Sequence, residues 1–211
     1  MWELVKAGGW LMLPLVLCSI FMLAISIERF IRLKRKLVLP DTLLISPMQN
    51  AEQAIAKLTT TPTLQSSTLG RVFQAGYVSQ YKPESYARAQ MEAVASREIG
   101  YLEKNINFLG TLSAVAPLLG LLGTVIGIIE SFLMMDLGNS DAVAMMPGIS
   151  KALITTAAGM LIAIPALFAH RYFQRLVQEY VAELEQQATL FHAELFYLQA
   201  SDVDQDMQKA S

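Results

Sequence analysis

The sequence has little charge, one cysteine and two histidines, and each shortage excludes a class of protein. Charged residues make up 16% of the 211 residues and hydrophobic residues 54%, a balance typical of membrane proteins and not of soluble domains. The single cysteine, Cys18, excludes an intrachain disulfide. His170 and His192 lie far apart with no cysteine nearby, so we expect no metal site within one chain. A net charge of −2 gives no reason to expect nucleic-acid binding.

Motifs for enzymatic chemistry are also missing. The segment Gly120-Leu-Leu-Gly123 contains two glycines, but it lies inside an apolar run and has no P-loop lysine. No serine, histidine and carboxylate stand in an arrangement that suggests a nucleophilic triad. We therefore expect neither an enzyme nor a bound cofactor.

The sequence does contain three long apolar runs, Ala7–Ile27, Asn105–Ile129 and Ala152–Ala169. About 20 apolar residues are enough to cross a membrane as a helix. A secretory signal peptide would carry its positive charges before the apolar run. Here Arg29 and the basic residues beyond it come after the first run, so we interpret that run as a retained transmembrane helix.

The charges between the runs predict the topology, because Lys and Arg mark the cytoplasmic side of a membrane protein. They follow the first and third runs, whereas the connection between the second and third runs has Asp136 and Asp141 and no Lys or Arg. We predict an all-α membrane protein of three transmembrane helices, with long second and third helices extending into the cytoplasm. The predicted segments are a short periplasmic N-terminus (1–6), transmembrane helix 1 (7–28), a cytoplasmic helical loop (29–104), transmembrane helix 2 (105–135), a periplasmic loop (136–146), transmembrane helix 3 (147–170) and a cytoplasmic helix and tail (171–211).

The cytoplasmic segments are expected to be helical. Helix signals predict a short helix from Ser46 to about Leu58, another from Ser67 to Tyr81, and one long helix from Glu84 to Met135. A region this small has few core residues of its own, so we expect it to bundle with copies of itself. The last helix carries an apolar stripe, which normally packs on another helix. Its members are Tyr172, Leu176, Tyr180, Leu184, Phe191 and Leu195.

Small residues follow one face of the second run and one face of the third, at spacings of three and four. Small faces allow close helix packing in membranes, and hydroxyls on them can bond to another helix. Packing alone explains the glycines and alanines, whereas Thr124 and Thr156 could also line a polar path or receive a polar group from a partner. The faces comprise Gly110, Ser113, Pro117, Gly120, Thr124, Gly127 and Ser131, and Ala152, Thr156, Gly159, Ala163 and Ala166.

Two motifs lie on these runs. The first is Ala116-Pro-Leu-Leu-Gly-Leu-Leu-Gly-Thr-Val-Ile-Gly127. The second is Pro147-Gly-Ile-Ser-Lys-Ala-Leu-Ile-Thr-Thr-Ala-Ala-Gly159, followed by Ala163-Ile-Pro-Ala166. With the three-helix topology and the loop segment Leu69-Gly-Arg-Val-Phe-Gln-Ala-Gly76, they resemble the MotA/TolQ/ExbB proton channel family, and its ExbB and TolQ branches most closely. The resemblance covers most of the chain.

The resemblance implies a homopentamer whose second and third helices surround a cavity. Inside it would stand the single membrane helices of an ExbD/TolR-type partner, whose aspartate carries the proton, and the complex would energise a TonB-like protein. The implied location is the bacterial inner membrane, where the protein would contact membrane lipids. The residues implied to face the partner or the proton path are Thr124, Thr155, Thr156 and Lys151. Those implied to shape or kink the helices are Pro117, Pro165, Gly120, Gly127 and Gly159.

Lys151 departs from the family pattern, which has a glutamate at this position. One interpretation places Lys151 near the outer boundary, where its ammonium extends toward water. The other places it on the cavity, paired with the partner's carboxylate or with a neighbouring acid, and a cation that close would lower the pKa of the carboxylate. The sequence also leaves two interpretations for Glu130, a structural role and a role in proton entry.

These observations favour an ExbB-like subunit that uses the proton motive force to energise TonB-dependent outer-membrane transport. A TolQ-like subunit of the Tol-Pal envelope-integrity system is the nearest alternative, and a passive scaffold for partner helices is the third. A solute transporter is disfavoured because the three runs show no internal repeat. A MotA-like stator is disfavoured because a four-helix arrangement is not present.

Overall fold

The computed structural model describes residues 8–45, 50–133 and 142–209, with side chains described for all of these except 142–144 and 197–209. Within these ranges the chain forms helices and no strand. The elements are α1 (Met12–Arg32), α2 (Arg35–Val38), a 3₁₀ turn (Asp41–Leu43), α3 (Ala51–Thr60), α4 (Pro62–Gln65), α5 (Thr68–Val78), α6 (Glu84–Glu103), α7 (Ile106–Leu133) and α8 (Ala142–Lys209).

Three helical stretches are long and apolar enough to cross a membrane, by length and composition: Met12–Arg32, Glu84–Leu133 and Met145–Phe196. They coincide with the three predicted transmembrane helices, and the second and third continue well beyond the length that a membrane requires. The prediction of an all-α membrane protein with long second and third helices is therefore confirmed.

The predicted long helix from Glu84 to Met135 is interrupted once. α6 ends at Glu103 and α7 begins at Ile106, and Asn105 between them has a φ of 64°. A residue in the left-handed region cannot continue a right-handed helix, and asparagine tolerates that region better than most residues. Neither glycine nor proline marks this break, so it could not be predicted from the residue types alone. Met135 lies outside the described residues.

The loop helices differ from prediction at their bounds: α4 was not predicted, and the helix expected to reach Tyr81 ends at Val78. The helix expected to end near Leu58 runs from Ala51 to Thr60, and its expected beginning at Ser46 lies outside the described residues. Ser67 caps α5 as expected, because its hydroxyl accepts a hydrogen bond from the Gly70 amide at 3.0 Å.

The chain divides into two compact units. The first consists of Met1–Arg29 and Asn105–Gln174. Within it, Met12 and Leu15 of α1 pack against Ala116 of α7 and Ala163 of α8. Its bulky side chains point outward instead: Leu118, Leu161 and Phe168 are 62%, 72% and 74% exposed. A core of small residues with a bulky apolar exterior is the reverse of a soluble domain, and it suits a helix bundle surrounded by lipid or by other membrane helices.

The second unit consists of Phe30–Lys104 and Arg175–Ser211, and it has a core of its own. Phe73 of α5 stacks on Phe191 of α8 with ring centroids 4.1 Å apart, and both rings are buried. Gln187 accepts a hydrogen bond from the Ile45 amide at 2.6 Å, and Glu194 accepts one from the Ala51 amide at 2.6 Å. The expectation of a region with few core residues is therefore wrong.

The apolar stripe predicted on α8 matches the buried residues only in its second half. Tyr180 is buried, and its hydroxyl donates to the Leu33 carbonyl at 2.9 Å. Before Tyr180 the buried positions are Phe173 and Val177, whereas Tyr172 is 57% exposed. Phe173 and Val177 fit helical spacing before Tyr180 as well as Tyr172 and Leu176 do, so the sequence pattern alone did not distinguish the two sets. The buried members from Tyr180 onward are Tyr180, Leu184, Phe191 and Leu195.

Candidate functional site between α7 and α8

Three glycines allow α7 and α8 to approach at backbone distance. A Cβ atom at Gly120 would lie 3.0 Å from the Thr155 carbonyl oxygen, and one at Gly127 would lie 2.8 Å from the Gly148 carbonyl oxygen. A Cβ atom at Gly159 would lie 2.6 Å from the Ala116 carbonyl oxygen. The distances at Gly127 and Gly159 are shorter than real Cβ contacts and the distance at Gly120 is tighter than most, so the helices can meet this closely because these positions carry no side chain.

Thr156 makes a polar link between the two helices. Its hydroxyl donates to the Gly120 carbonyl oxygen at 3.0 Å. In an α-helix that carbonyl also accepts the amide of residue 124. The Gly120 oxygen thus serves two donors, and the Thr156 hydroxyl keeps a lone pair with which to accept a proton or another donor.

Thr155 and Thr124 are placed differently. Thr155 is 1% exposed and packs against Gly123, and its hydroxyl donates to the Ala152 carbonyl oxygen of its own helix at 2.8 Å. Thr124 is half-buried, and its hydroxyl donates to the Leu121 carbonyl oxygen of its own helix at 2.6 Å. Thr155 therefore belongs to the α7–α8 contact, whereas Thr124 makes no hydrogen bond to α8.

Lys151 is held within its own chain. Its ammonium donates to a carboxylate oxygen of Glu130 on α7 at 2.7 Å, and 24% of the Lys151 side chain is exposed. The lysine stem lies against Gly9, which precedes α1 and has a φ of 71°. A Cβ atom at Gly9 would collide with that stem, so three segments of the chain meet at this ion pair. A neighbouring acid, the second interpretation from the sequence, is thus observed beside Lys151, and an approach by a partner's carboxylate stays a prediction.

Pro117 and Pro165 both lie inside continuous helices. Each lacks the amide that would bond to the carbonyl four residues earlier, namely that of Ser113 and that of Leu161. Free carbonyls in a membrane helix need another donor or a nearby polar group. Each of the two prolines thus leaves one backbone oxygen without its usual intrahelical partner.

Sequence reasoning missed two contacts of this helix pair. Gly123 faces Thr155, although the spacing of 120, 123 and 127 was as visible as that of 120, 124 and 127. The Nδ1–H of His170 donates to the Ile106 carbonyl oxygen at 3.0 Å, and its ring lies on Gly110. No sequence pattern pairs residues 64 positions apart, and only the glycine opposite the histidine hinted at the second contact.

The charges of α7 and α8 in the first unit are few. Between Ile106 and Leu133 the only charged residue is Glu130, and between Met145 and His170 the only one is Lys151. Among the residues that the structure describes, no three His, Cys, Asp or Glu side chains are grouped to hold a metal ion. Asp136 and Asp141 lie outside the described residues. The described helix pair thus offers hydroxyls and one ion pair, with no carboxylate midway along it.

These features define an all-helical membrane protein built around a close, hydroxyl-bearing pair of helices. The MotA/TolQ/ExbB proton channel family matches residues 64–186. The chain is 33% identical to the biopolymer transport protein ExbB-like 1 of Synechocystis, over 90% of this chain and 78% of that protein. It is 35% identical to the Tol-Pal system protein TolQ of Haemophilus influenzae, over 54% of each chain. It is also 35% identical to the biopolymer transport protein ExbB of Salmonella typhimurium, over 49% of this chain and 41% of that protein.

The chain therefore belongs to the MotA/TolQ/ExbB proton channel family, as its two motifs suggested. This is a family of proton channel proteins and not a class of enzymes.

Proposed function

We propose that this protein is an ExbB-like subunit of a proton channel in the bacterial inner membrane. It works as a homopentamer with an ExbD/TolR-type single-span partner, and it uses the proton motive force to energise TonB-dependent outer-membrane transport. Its N-terminus faces the periplasm and its C-terminus the cytoplasm, in agreement with the basic residues that follow α1 and the first half of α8. Relatives named as biopolymer transport proteins support this branch.

The observation that carries the proposal is the Thr156 hydroxyl on the Gly120 carbonyl, in a helix pair without a carboxylate at its middle. Hydroxyls and carbonyls can pass a proton on through hydrogen bonds, but they do not hold it as a carboxylate does. A helix pair that has hydroxyls and carbonyls but no carboxylate at its middle requires a partner that supplies the carboxylate. The small faces of α7 and α8 are suited to pack against such a partner's helix.

The Thr124 hydroxyl provides the second polar contact for that partner. It is half-buried and occupied only by its own helix, so it can rotate toward an incoming carboxylate at the loss of one local hydrogen bond, which contributes about 1 kcal/mol. Thr156 and Lys151 belong to the same proposed partner-facing path, and Thr155, which is buried between α7 and α8, supports that path from inside the helix pair.

Proton flux into vesicles tests the proposal. The purified chain alone should conduct little, and the chain reconstituted with its partner should conduct. Thr156→Val should reduce that flux to background, because valine keeps the shape and removes the hydroxyl, whereas Thr156→Ser should retain it. Both variants should assemble normally with the partner. No flux in the complete wild-type complex would identify a passive scaffold instead.

A TolQ-like role is the second candidate, favoured by the similarity to TolQ of Haemophilus influenzae. Expression in strains that lack either system separates the two roles. Rescue of TonB-dependent uptake supports the ExbB-like role. Rescue of detergent resistance without rescue of uptake supports the TolQ-like role.

A further inference from the structure

His170 lies where α8 passes the beginning of α7, and its ring is anchored in one orientation. Nδ1 is 3.0 Å from the carbonyl oxygen of Ile106, the first residue of α7. A carbonyl oxygen can only accept a hydrogen bond, so Nδ1 must carry a hydrogen. In the neutral imidazole the other nitrogen, Nε2, then holds the lone pair, and it is the atom that can take up a proton.

Gly110 provides the seat for this ring. A Cβ atom there would lie 2.9 Å from Cε1, 3.0 Å from Nε2 and 3.2 Å from Nδ1 of His170. Any other residue at position 110 would displace the imidazole from the Ile106 carbonyl. Within the described residues Nε2 makes no hydrogen bond, and the side chain is half-buried. Nδ1 thus anchors the ring to the Ile106 carbonyl, whereas Nε2 is left to accept a proton.

Charged residues stand near the end of α1 and directly after His170 on α8. Glu28 of α1 accepts a hydrogen bond from the Asn105 side chain at 3.2 Å, one residue before the Ile106 that holds His170. Arg29 of α1 is buried, and Arg171 follows His170 on α8. Between its start and Ile129, α7 contributes no charge.

We propose that His170 is the proton-accepting residue at the inner end of the α7–α8 pair. A hydronium ion reaching this end gives its proton to the Nε2 lone pair, which forms an Nε2–H bond and leaves water. The imidazolium keeps its Nδ1–H bond to the Ile106 carbonyl. It then returns the Nε2 proton to a water molecule on the cytoplasmic side and regains the lone pair. Imidazole suits this step, because it is the side chain whose ordinary titration lies between about pH 5 and 8.

This inference rests on the proposed proton channel, and the experiment separates the two. Vesicles containing the complete complex are assayed for proton flux while the pH on the cytoplasmic side is varied from about 5.5 to 8. His170→Asn keeps an amide N–H at the place of Nδ1 and removes the Nε2 base. His192→Asn, in the second unit, is the matched control for losing a histidine.

We expect wild-type flux to fall as the cytoplasmic side is acidified, because protons on that side oppose the release of the Nε2 proton to water. His170→Asn should lower flux by about 10²-fold, the lower end of what a positioned proton-transfer group contributes, and should remove the pH dependence. His192→Asn should follow the wild type. In His170→Ala, added imidazole should restore flux, which no structural role of the ring would produce.

Wild-type flux and pH profile in His170→Asn would overturn the inference and leave His170 as an anchor for α7. Loss of assembly in His170→Asn, with no rescue of His170→Ala by imidazole, would overturn it equally. Absence of flux in the wild-type complex would overturn the proposed function itself.

Discussion

Adding one methyl group to Gly123 is the sharpest test of the close helix pair. A Cβ atom there would lie 2.6 Å from Cβ of Thr155 and 3.2 Å from its Cγ2, and closer still to its hydroxyl oxygen. Thr155 cannot move aside easily. It is 1% exposed, it is branched at Cβ, and its hydroxyl is bonded to the Ala152 carbonyl at 2.8 Å. The helices must therefore separate locally or bend.

Two opposing terms give the expected size of the effect. Overpacking a close contact typically costs about 1–3 kcal/mol. Replacing glycine by alanine inside a helix contributes up to about 1 kcal/mol of helix propensity in the other direction. Gly123→Ala should therefore lose roughly 1–2 kcal/mol, which for a chain of this size corresponds to a fall in Tm of about 2–8 °C.

Gly100 provides the matched control, because it lies in α6 with no atom within 4 Å of where a Cβ would stand. Gly100→Ala should raise the Tm slightly, since it gains propensity and meets nothing. Thermal unfolding of the detergent-purified protein measures both. The double variant Gly123→Ala, Thr155→Gly also removes the side chain that the new methyl group would meet. It should recover part of the loss, with a coupling of about 0.5–3 kcal/mol.

A Tm for Gly123→Ala equal to or above that of Gly100→Ala would refute the reasoning, because the contact with Thr155 would then be absent in the membrane protein. A loss in the double variant equal to the sum of the losses in Gly123→Ala and Thr155→Gly would refute it as well, because the two positions would then be uncoupled.

Two further predictions concern the ion pair and the core of the second unit. Glu130→Lys and Lys151→Glu should each destabilise the protein by leaving two like charges in contact, and the charge-swapped double variant should restore stability, with a coupling of about 1 kcal/mol for a pair that is partly exposed. Additive losses in that double-mutant cycle would mean that the pair contributes nothing. Phe191→Ala should cost about 3–5 kcal/mol because the ring is fully buried, whereas Leu190→Ala, at a position 39% exposed, should cost far less; similar melting curves for both would contradict the observed core.

The helices of this protein follow from sequence more readily than the contacts between them. Uncharged runs and the placement of basic residues predict three transmembrane helices, because crossing a membrane requires length and hydrophobicity alone. The break at Asn105 escaped prediction because a single residue in the left-handed region needs no glycine or proline. The face that packs on α8 contains Gly123 and not Thr124, and this rotation was not predicted because both residues fit helical spacing after Gly120.

What decides between those rotations is the opposite helix. Thr155 needs a position without a side chain across from it, and this requirement is visible only once α8 lies against α7. The same holds for Lys151 with Glu130 and for His170 with Gly110. Each pair joins side chains whose separation in sequence is set by the length and register of the helices, and no local pattern encodes that register.

The stacked rings of Phe73 and Phe191 carry a consequence for biosynthesis. About 120 residues separate them, which at a synthesis rate of about 5–20 residues per second means a delay of roughly 6–24 s. Ile45 and Gln187 are still further apart, at 142 residues. The early loop helices therefore emerge from the ribosome before the segment of α8 that completes their core. They can be buried only after the third apolar run has been inserted into the membrane. During that interval they depend on chaperones or on protection from proteases, so slow insertion of the final helix should expose the nascent protein to degradation.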